Sequence, residues 1–164
     1  MIKFFIGIAI VAFSSFCGYK LAGKYRRKKM FFVQFATFNE RFLGELAYYR
    51  RPIKDFVFEY VYQGEFRVLL EEYVAGLNAE RKDTFFLVLG EGFSFLNKDE
   101  QRITEEYFST LGKGDSSSQK AYFSSMKERI NALRESSEKD CKRYADLYVK
   151  LGFLCGLFIL ILIL

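Results

Sequence analysis

The chain has no histidine, a single proline and only three cysteines, and each shortage removes a class of chemistry. Without histidine, the usual proton shuttle near neutral pH is missing. Cys17 and Cys155 sit in apolar runs and Cys141 stands alone. No Cys-x-x-Cys pair or zinc ligand cluster can form from them, and small hydrophobic fillers is their expected role. No Gly-x-x-x-x-Gly-Lys-Ser/Thr loop occurs to cradle a nucleotide phosphate. The nearest approaches, Gly90-Glu91-Gly92 and Gly112-Lys113-Gly114, are too short and read as helix breaks or turns. Nothing recommends catalysis, and neither cofactor nor metal is expected.

Charge is absent from both ends of the sequence. Leu151 to Leu164 carries none, but as a helix it reaches only about 21 Å against a hydrocarbon core of about 30 Å. It spans if Leu147, Tyr148 and Val149 enter too, with Lys150 snorkelling to the headgroups. A buried core helix is the alternative, set aside because the run has no polar face to meet water. Phe4 to Tyr19 is likewise uncharged, and Lys20, Lys24, Arg26, Arg27, Lys28 and Lys29 crowd its downstream flank. A cleaved signal peptide fits that flank poorly, and Ser15-Phe16 before Cys17 is a poor lipoprotein site. The positive-inside rule holds the basic flank in the cytoplasm, so the expectation is a retained anchor with the N-terminus outside.

The net charge of +5 is a juxtamembrane property. Residues 1 to 29 hold seven Lys or Arg and no acid, and the remainder balances at −2. Such a flank suits anionic lipid headgroups and gives little reason to expect a nucleic-acid partner. The expected organisation is an N-terminal anchor over 1–29, a cytoplasmic helical domain over 30–146 and a C-terminal anchor over 147–164. The fold class is all-α, a bundle of about six helices between two transmembrane helices.

Periodicity carries that reading along the chain. Phe31, Phe35, Phe38, Phe42, Leu46 and Tyr49 recur at helical spacing, so the first helix continues beyond the apolar run. Glu45 falls beside this stripe, either at the edge of the core or in an interface. Pro52 marks a boundary. Asp55 to Tyr62 has strand-like composition but no nearby partner strand, and is assigned to helix. Phe66, Leu69, Leu70, Tyr73 and Leu77 predict a helix ending near Asn78, Asp83 caps a next element, and the apolar run Phe85 to Leu89 is expected at the centre of the bundle. Asn97 and Glu100 resemble a capping pair ahead of Ile103, Tyr107, Phe108 and Leu111.

Leu111 to Gln119 reads as a sharp helix-to-helix turn. Gly112 or Gly114 can take the left-handed conformation, and Asp115 or Ser116, with Gln119, can cap the next helix. Capping also accounts for the three serines without a nucleophile. From Ser116 to Leu151 neither glycine nor proline occurs. A stripe of Phe123, Met126, Ile130, Leu133, Tyr144, Leu147 and Leu151, weakening at Ser137 and Asp140, predicts one helix running straight into the C-terminal span. Ser14, Gly18 and Ala22 in the first span and Gly152 and Gly156 in the second are small residues at fourfold spacing, a pattern that lets membrane helices approach closely. Similar depth suggests that Gly18 meets Gly156.

Gly18, Ala22 and Tyr25, then Glu45-Leu46 with Tyr48 and Pro52-Ile53, then Leu111-Gly112 with Asp115, Ser118 and Gln119, and finally Tyr144, Leu151-Gly152-Phe153-Leu154 and Gly156-Leu157 occur in an order and spacing that resembles the stage III sporulation protein AB family. The resemblance covers the first and last thirds; Leu43 departs from it, and residues 54 to 100 match poorly. It implies a place in the mother-cell membrane facing the engulfed forespore, within a transenvelope complex. It also implies a helical domain similar to the inner-membrane platform proteins of type II secretion and type IV pili. The implied partners are a secretion-type ATPase, stage III sporulation protein AA, and the other components of the complex. A homo-oligomer is left open. The alternative function is a small homo-oligomeric channel with two spans per subunit, although only Ser14 and Ser15 offer polar groups to line a pore.

Overall fold

The computed structural model describes residues 2–48, 53–79, 92–113 and 115–163. Every regular element among them is helical: α1 (Ile2–Tyr48), α2 (Ile53–Glu59), α3 (Gly64–Ala79), α4 (Lys98–Thr110), α5 (Ser116–Asp140), a π-helical turn (Cys141–Ala145) and α6 (Asp146–Ile163). Two stretches, Ile6–Ala47 and Ser117–Leu162, are long and apolar enough to cross a membrane. The chain divides into two units, one of Met1–Lys29 with Ser136–Leu164 and one of Met30–Glu135.

The unit of residues 30–135 is built on phenylalanine. In α1 the predicted stripe of Phe31, Phe35, Phe38 and Phe42 is buried, but so are Phe32, Ala36 and Asn39. This stretch of α1 is therefore enclosed over more than one face. Phe35 meets Tyr107 edge-on with centroids 4.8 Å apart, and Phe42 meets Phe123 at 5.0 Å and 90°. Phe38 packs on Phe56, Phe66 and Phe108. Edge-to-face arrangements set the electropositive ring edge against the electronegative face and stabilise by about 0.5–1.5 kcal/mol beyond burial.

One polar chain threads this core. Tyr107 Oη donates to Asn39 Oδ1 at 3.0 Å, and Asn39 Nδ2 donates to the Phe123 carbonyl at 3.3 Å. Both side chains are sealed from water, so each hydrogen bond offsets a desolvation cost of about 1–3 kcal/mol. Burial also drives the Tyr107 phenol well above its ordinary pKa, and pushes Tyr73 up to about 12.

These shifts set an alkaline limit to stability. Both folded pKa values are raised, so the contribution of these phenols is complete below the unfolded value of about 10 and is lost as pH rises beyond it. On alkaline titration, Tyr73 and Tyr107 should ionise only as helical circular dichroism is lost, and Tyr107→Phe should remove part of that late phenolate absorbance. Ionisation of every tyrosine near pH 10 with helicity intact would contradict their burial.

Tertiary packing changes several of the periodicity-based expectations. Asp55 begins in helix as expected, but helix ends at Glu59 and Tyr60 to Gln63 are not helical. Helix α3 starts at Gly64, whose φ is 62°, and runs to Ala79; Leu77 is exposed and Val74 takes a core place instead. Glu45 is buried, and so does not stand at a solvent edge. Asn97 and Glu100 do form a reciprocal capping box, at 2.8 and 2.9 Å. Ser137 is buried, Leu133 is half-buried, and Leu147 and Leu151 are exposed. The helix does continue into the C-terminal segment, but the π turn at Cys141–Ala145 interrupts its α-helical repeat and shifts its phase. Tyr49, Pro52, Asp83, Phe85 to Leu89, Gly90, Glu91 and Gly114 lie outside the described residues.

Candidate functional site

In the unit containing both apolar ends, α1 and α6 meet through small residues. A Cβ placed on Gly18 would stand 2.5 Å from the Tyr148 carbonyl oxygen and 3.1 Å from Gly152 Cα. One on Gly152 would stand 2.7 Å from the Ser14 carbonyl oxygen and 3.0 Å from Gly18 Cα. These are backbone obstacles that cannot turn aside, so glycine is what allows the approach. Ser14 Oγ donates to the Gly152 carbonyl at 2.6 Å, and Ala22 is fully buried. Gly156 faces Val11, whose Cα would lie 2.8 Å from its Cβ. Gly18 therefore pairs with Gly152, one helical turn from the Gly156 partner that equal depth suggested.

Tyrosines extend the contact. Tyr25 stacks on Tyr144 at 5.2 Å and on Tyr148 at 5.8 Å. Sequence spacing could not reveal this trio, because Tyr25 lies most of the chain away from its neighbours. A fainter signal was available for Gly7: spacing continued backward from Ser14 through Val11 reaches it, and Gly7 abuts the Leu160 side chain. In the basic flank, Lys20 Nζ stands over Phe16 at 5.5 Å and Arg26 over Tyr19 at 4.8 Å. Lys24 and Arg27 are exposed, and Lys28 and Lys29 partly so.

Of the motif residues in the other unit, Leu111, Gly112, Asp115, Ser118 and Gln119, with Ile53 against them, gather at the α4–α5 turn. Gly112 has φ 77°, which an L side chain adopts only at a cost, and the Ile53 side chain lies directly against the place a Cβ would take. Tyr73 Oη donates to the Leu111 carbonyl at 3.2 Å, tying α3 to the turn. Asp115 Oδ2 accepts from the backbone N–H groups of Ser117 and Ser118, each at 3.1 Å, and from the Ser117 hydroxyl. Those hydrogen bonds, Ser117's first, hold the Asp115 carboxyl well below the usual carboxylate range. The cap is thus intact at neutral pH and is lost only as pH falls through that depressed value. Gln119, expected to complete a capping pair, is buried and donates backward to the Lys113 carbonyl at 2.9 Å. Glu45 is buried in α1 of the same unit, the Tyr48 side chain is not described, and Pro52 lies outside the described residues.

Gly112→Ala should lower stability by about 1–2 kcal/mol from the left-handed backbone alone, with a further loss from displacing Ile53. Thermal melting of the full chain checks this, and an unchanged midpoint would mean the turn is not left-handed.

Neither arrangement has the parts of a catalytic centre. Among the described residues, no three His, Cys, Asp or Glu side chains are placed to share a metal ion. The glycine contact holds two helices together, and the turn holds a helix connection in one geometry. Set beside known proteins, residues 3–164 match the family model described as Stage III sporulation protein AB. That match runs through residues 54–100, where the sequence resemblance was poor. No curated protein and no solved structure matches the chain.

Proposed function

Because the chain belongs to the stage III sporulation protein AB family, we propose that it is a non-enzymatic membrane platform in a secretion-like complex of the sporulating cell, seating a cytoplasmic ATPase. The observation that carries this reading is the glycine-mediated pairing of the two apolar helices, which supports a double anchor for a chain whose middle has its own aromatic core. A protein held at both ends, with no phosphate loop, suits a seat for a motor better than a motor. The domain of residues 30–146 faces the mother-cell cytoplasm, residues 1–29 and 147–164 are the anchors, and the membrane is the one around the forespore. Lys20, Lys24, Arg26, Arg27, Lys28 and Lys29 meet anionic headgroups. The partners are a stage III sporulation protein AA-type ATPase and other components of the same complex.

Two measurements test the reading. Such an ATPase should co-purify with the full chain from sporulating membranes, and its absence under conditions that retain the rest of the complex would remove the platform role. A reporter cysteine at position 115 should resist a membrane-impermeant reagent until cells are lysed; labelling in intact cells would overturn the orientation. The channel alternative is disfavoured by the Ser14 hydroxyl, which is committed to the Gly152 carbonyl and so does not line a pore. Ion flux through the purified protein in liposomes would restore that alternative.

A further inference from the structure

The π turn at Cys141–Ala145 interrupts an otherwise continuous helix shortly before the glycine contact. Such turns hold one residue more than α-helical geometry needs, and they are rare because an α-helix bonds better. Its effect is visible in burial. Ser137, Ala145 and Gly156 are buried and Gly152 partly so, while Leu147, Leu151 and Cys155 are exposed. Counting about 100° per residue, an unbroken α-helix would turn Ala145, Gly152 and Gly156 about 80°, 60° and 100° away from Ser137. Removing one residue's rotation, as the π turn does, brings all of them within about 40° of Ser137. The extra residue therefore aims the glycines at α1.

The opposite register is equally well defined. If Cys141–Ala145 became α-helical, α6 would turn by about 100° and each residue would give its place to the one before it. Leu151 would replace Gly152, and Cys155 would replace Gly156. Neither fits: even a Cβ at 152 would press on the Ser14 carbonyl oxygen and on Gly18 Cα at 2.7 and 3.0 Å. Helix regularity favours one register and glycine packing the other.

We propose that the π turn is a register switch, coupling loosening of the close glycine approach, with the two apolar helices remaining neighbours, to rotation of α6. While Gly152 lies on Gly18, the π turn is held. When that contact opens, the helix relaxes to α and presents a different face. The inference concerns only the geometry of this helix pair and does not depend on the platform reading.

Disulfide crosslinking of the full chain in membranes, with Cys17, Cys141 and Cys155 replaced, tests it. Gly7 and Leu160 suit the π register, because a Cβ on Gly7 would stand 3.5 Å from Leu160 Cγ and meets only the end of that side chain. Cysteines at 7 and 159 report the α register. The parent should crosslink through 7 and 160. Deleting Lys142 should leave that crosslink in place, since an unbroken α-helix then carries the same face. Gly152→Leu should move it to 7 and 159, because the close glycine approach that holds the π turn is lost. Loss of the 7/160 crosslink on deleting Lys142, in a chain that still inserts and retains its helicity, would overturn the phase assignment. Gly152→Leu crosslinking still at 7/160, or at neither pair, would overturn the switch.

Discussion

Phe38→Asp should prevent residues 30–135 from folding cooperatively. Phe38 is fully buried and its ring packs on Phe56, Phe66 and Phe108, contributed by three other helices. Loss of the ring alone costs about 3–5 kcal/mol. An unpaired carboxylate then adds a desolvation penalty of several kcal/mol more, even after it protonates. A domain of this size has a total stability of about 5–15 kcal/mol, so the change consumes most or all of it. The expected result is loss of the cooperative thermal transition together with rapid proteolysis of the middle of the chain. Leu133→Asp, which the sequence periodicity places on an equal footing, should be much milder because Leu133 is half-buried and its replacement can reach water. If Phe38→Asp melted like the parent, the aromatic packing around Phe38 would be wrong.

Gly18→Leu should force the apolar helices out of close approach while leaving that core intact. The first added carbon already meets the Tyr148 carbonyl oxygen at 2.5 Å and Gly152 Cα at 3.1 Å, and a longer side chain has no direction in which to relieve both. Overpacking of this kind costs about 1–3 kcal/mol, enough to reduce the paired population by about fivefold to about a hundredfold. The reporter crosslink between positions 7 and 160 should fall accordingly and move to 7 and 159, as for Gly152→Leu, with the thermal transition of residues 30–135 unchanged. Gly18→Ala should give an intermediate loss, since it adds the obstructing carbon without the rest. Full crosslinking in Gly18→Leu would mean that the helices do not approach at this glycine.

What was legible in the sequence was local. The uncharged runs at each end, the capping pair Asn97 and Glu100, a left-handed glycine at 112 or 114 and the Phe31 to Phe42 stripe each depend on residues within a turn or two of one another. The helical signals therefore survive folding. Side-chain satisfaction was less legible. Nothing near Asn39 in sequence distinguishes it from a solvent-facing residue, yet it is buried because Tyr107 and the Phe123 carbonyl complete its hydrogen bonds. Gln119 has capping spacing, but its buried amide donates back to the Lys113 carbonyl.

Sequence by itself therefore determined that this chain is helical, that its two ends are apolar enough to span a membrane, and that small residues lie at helical spacing in both. Only tertiary structure decided which of those small residues meet. A stripe is extrapolated by assuming constant rotation per residue, and the π turn at Cys141–Ala145 breaks that assumption by one residue. That single slip takes Leu147 and Leu151 off the buried face, puts Gly152 on it, and pairs Gly152 with Gly18 and Gly156 with Val11. Its cause is contact between segments at opposite ends of the sequence, where glycine packing offsets the poorer bonding of the π turn, and no local periodicity records it.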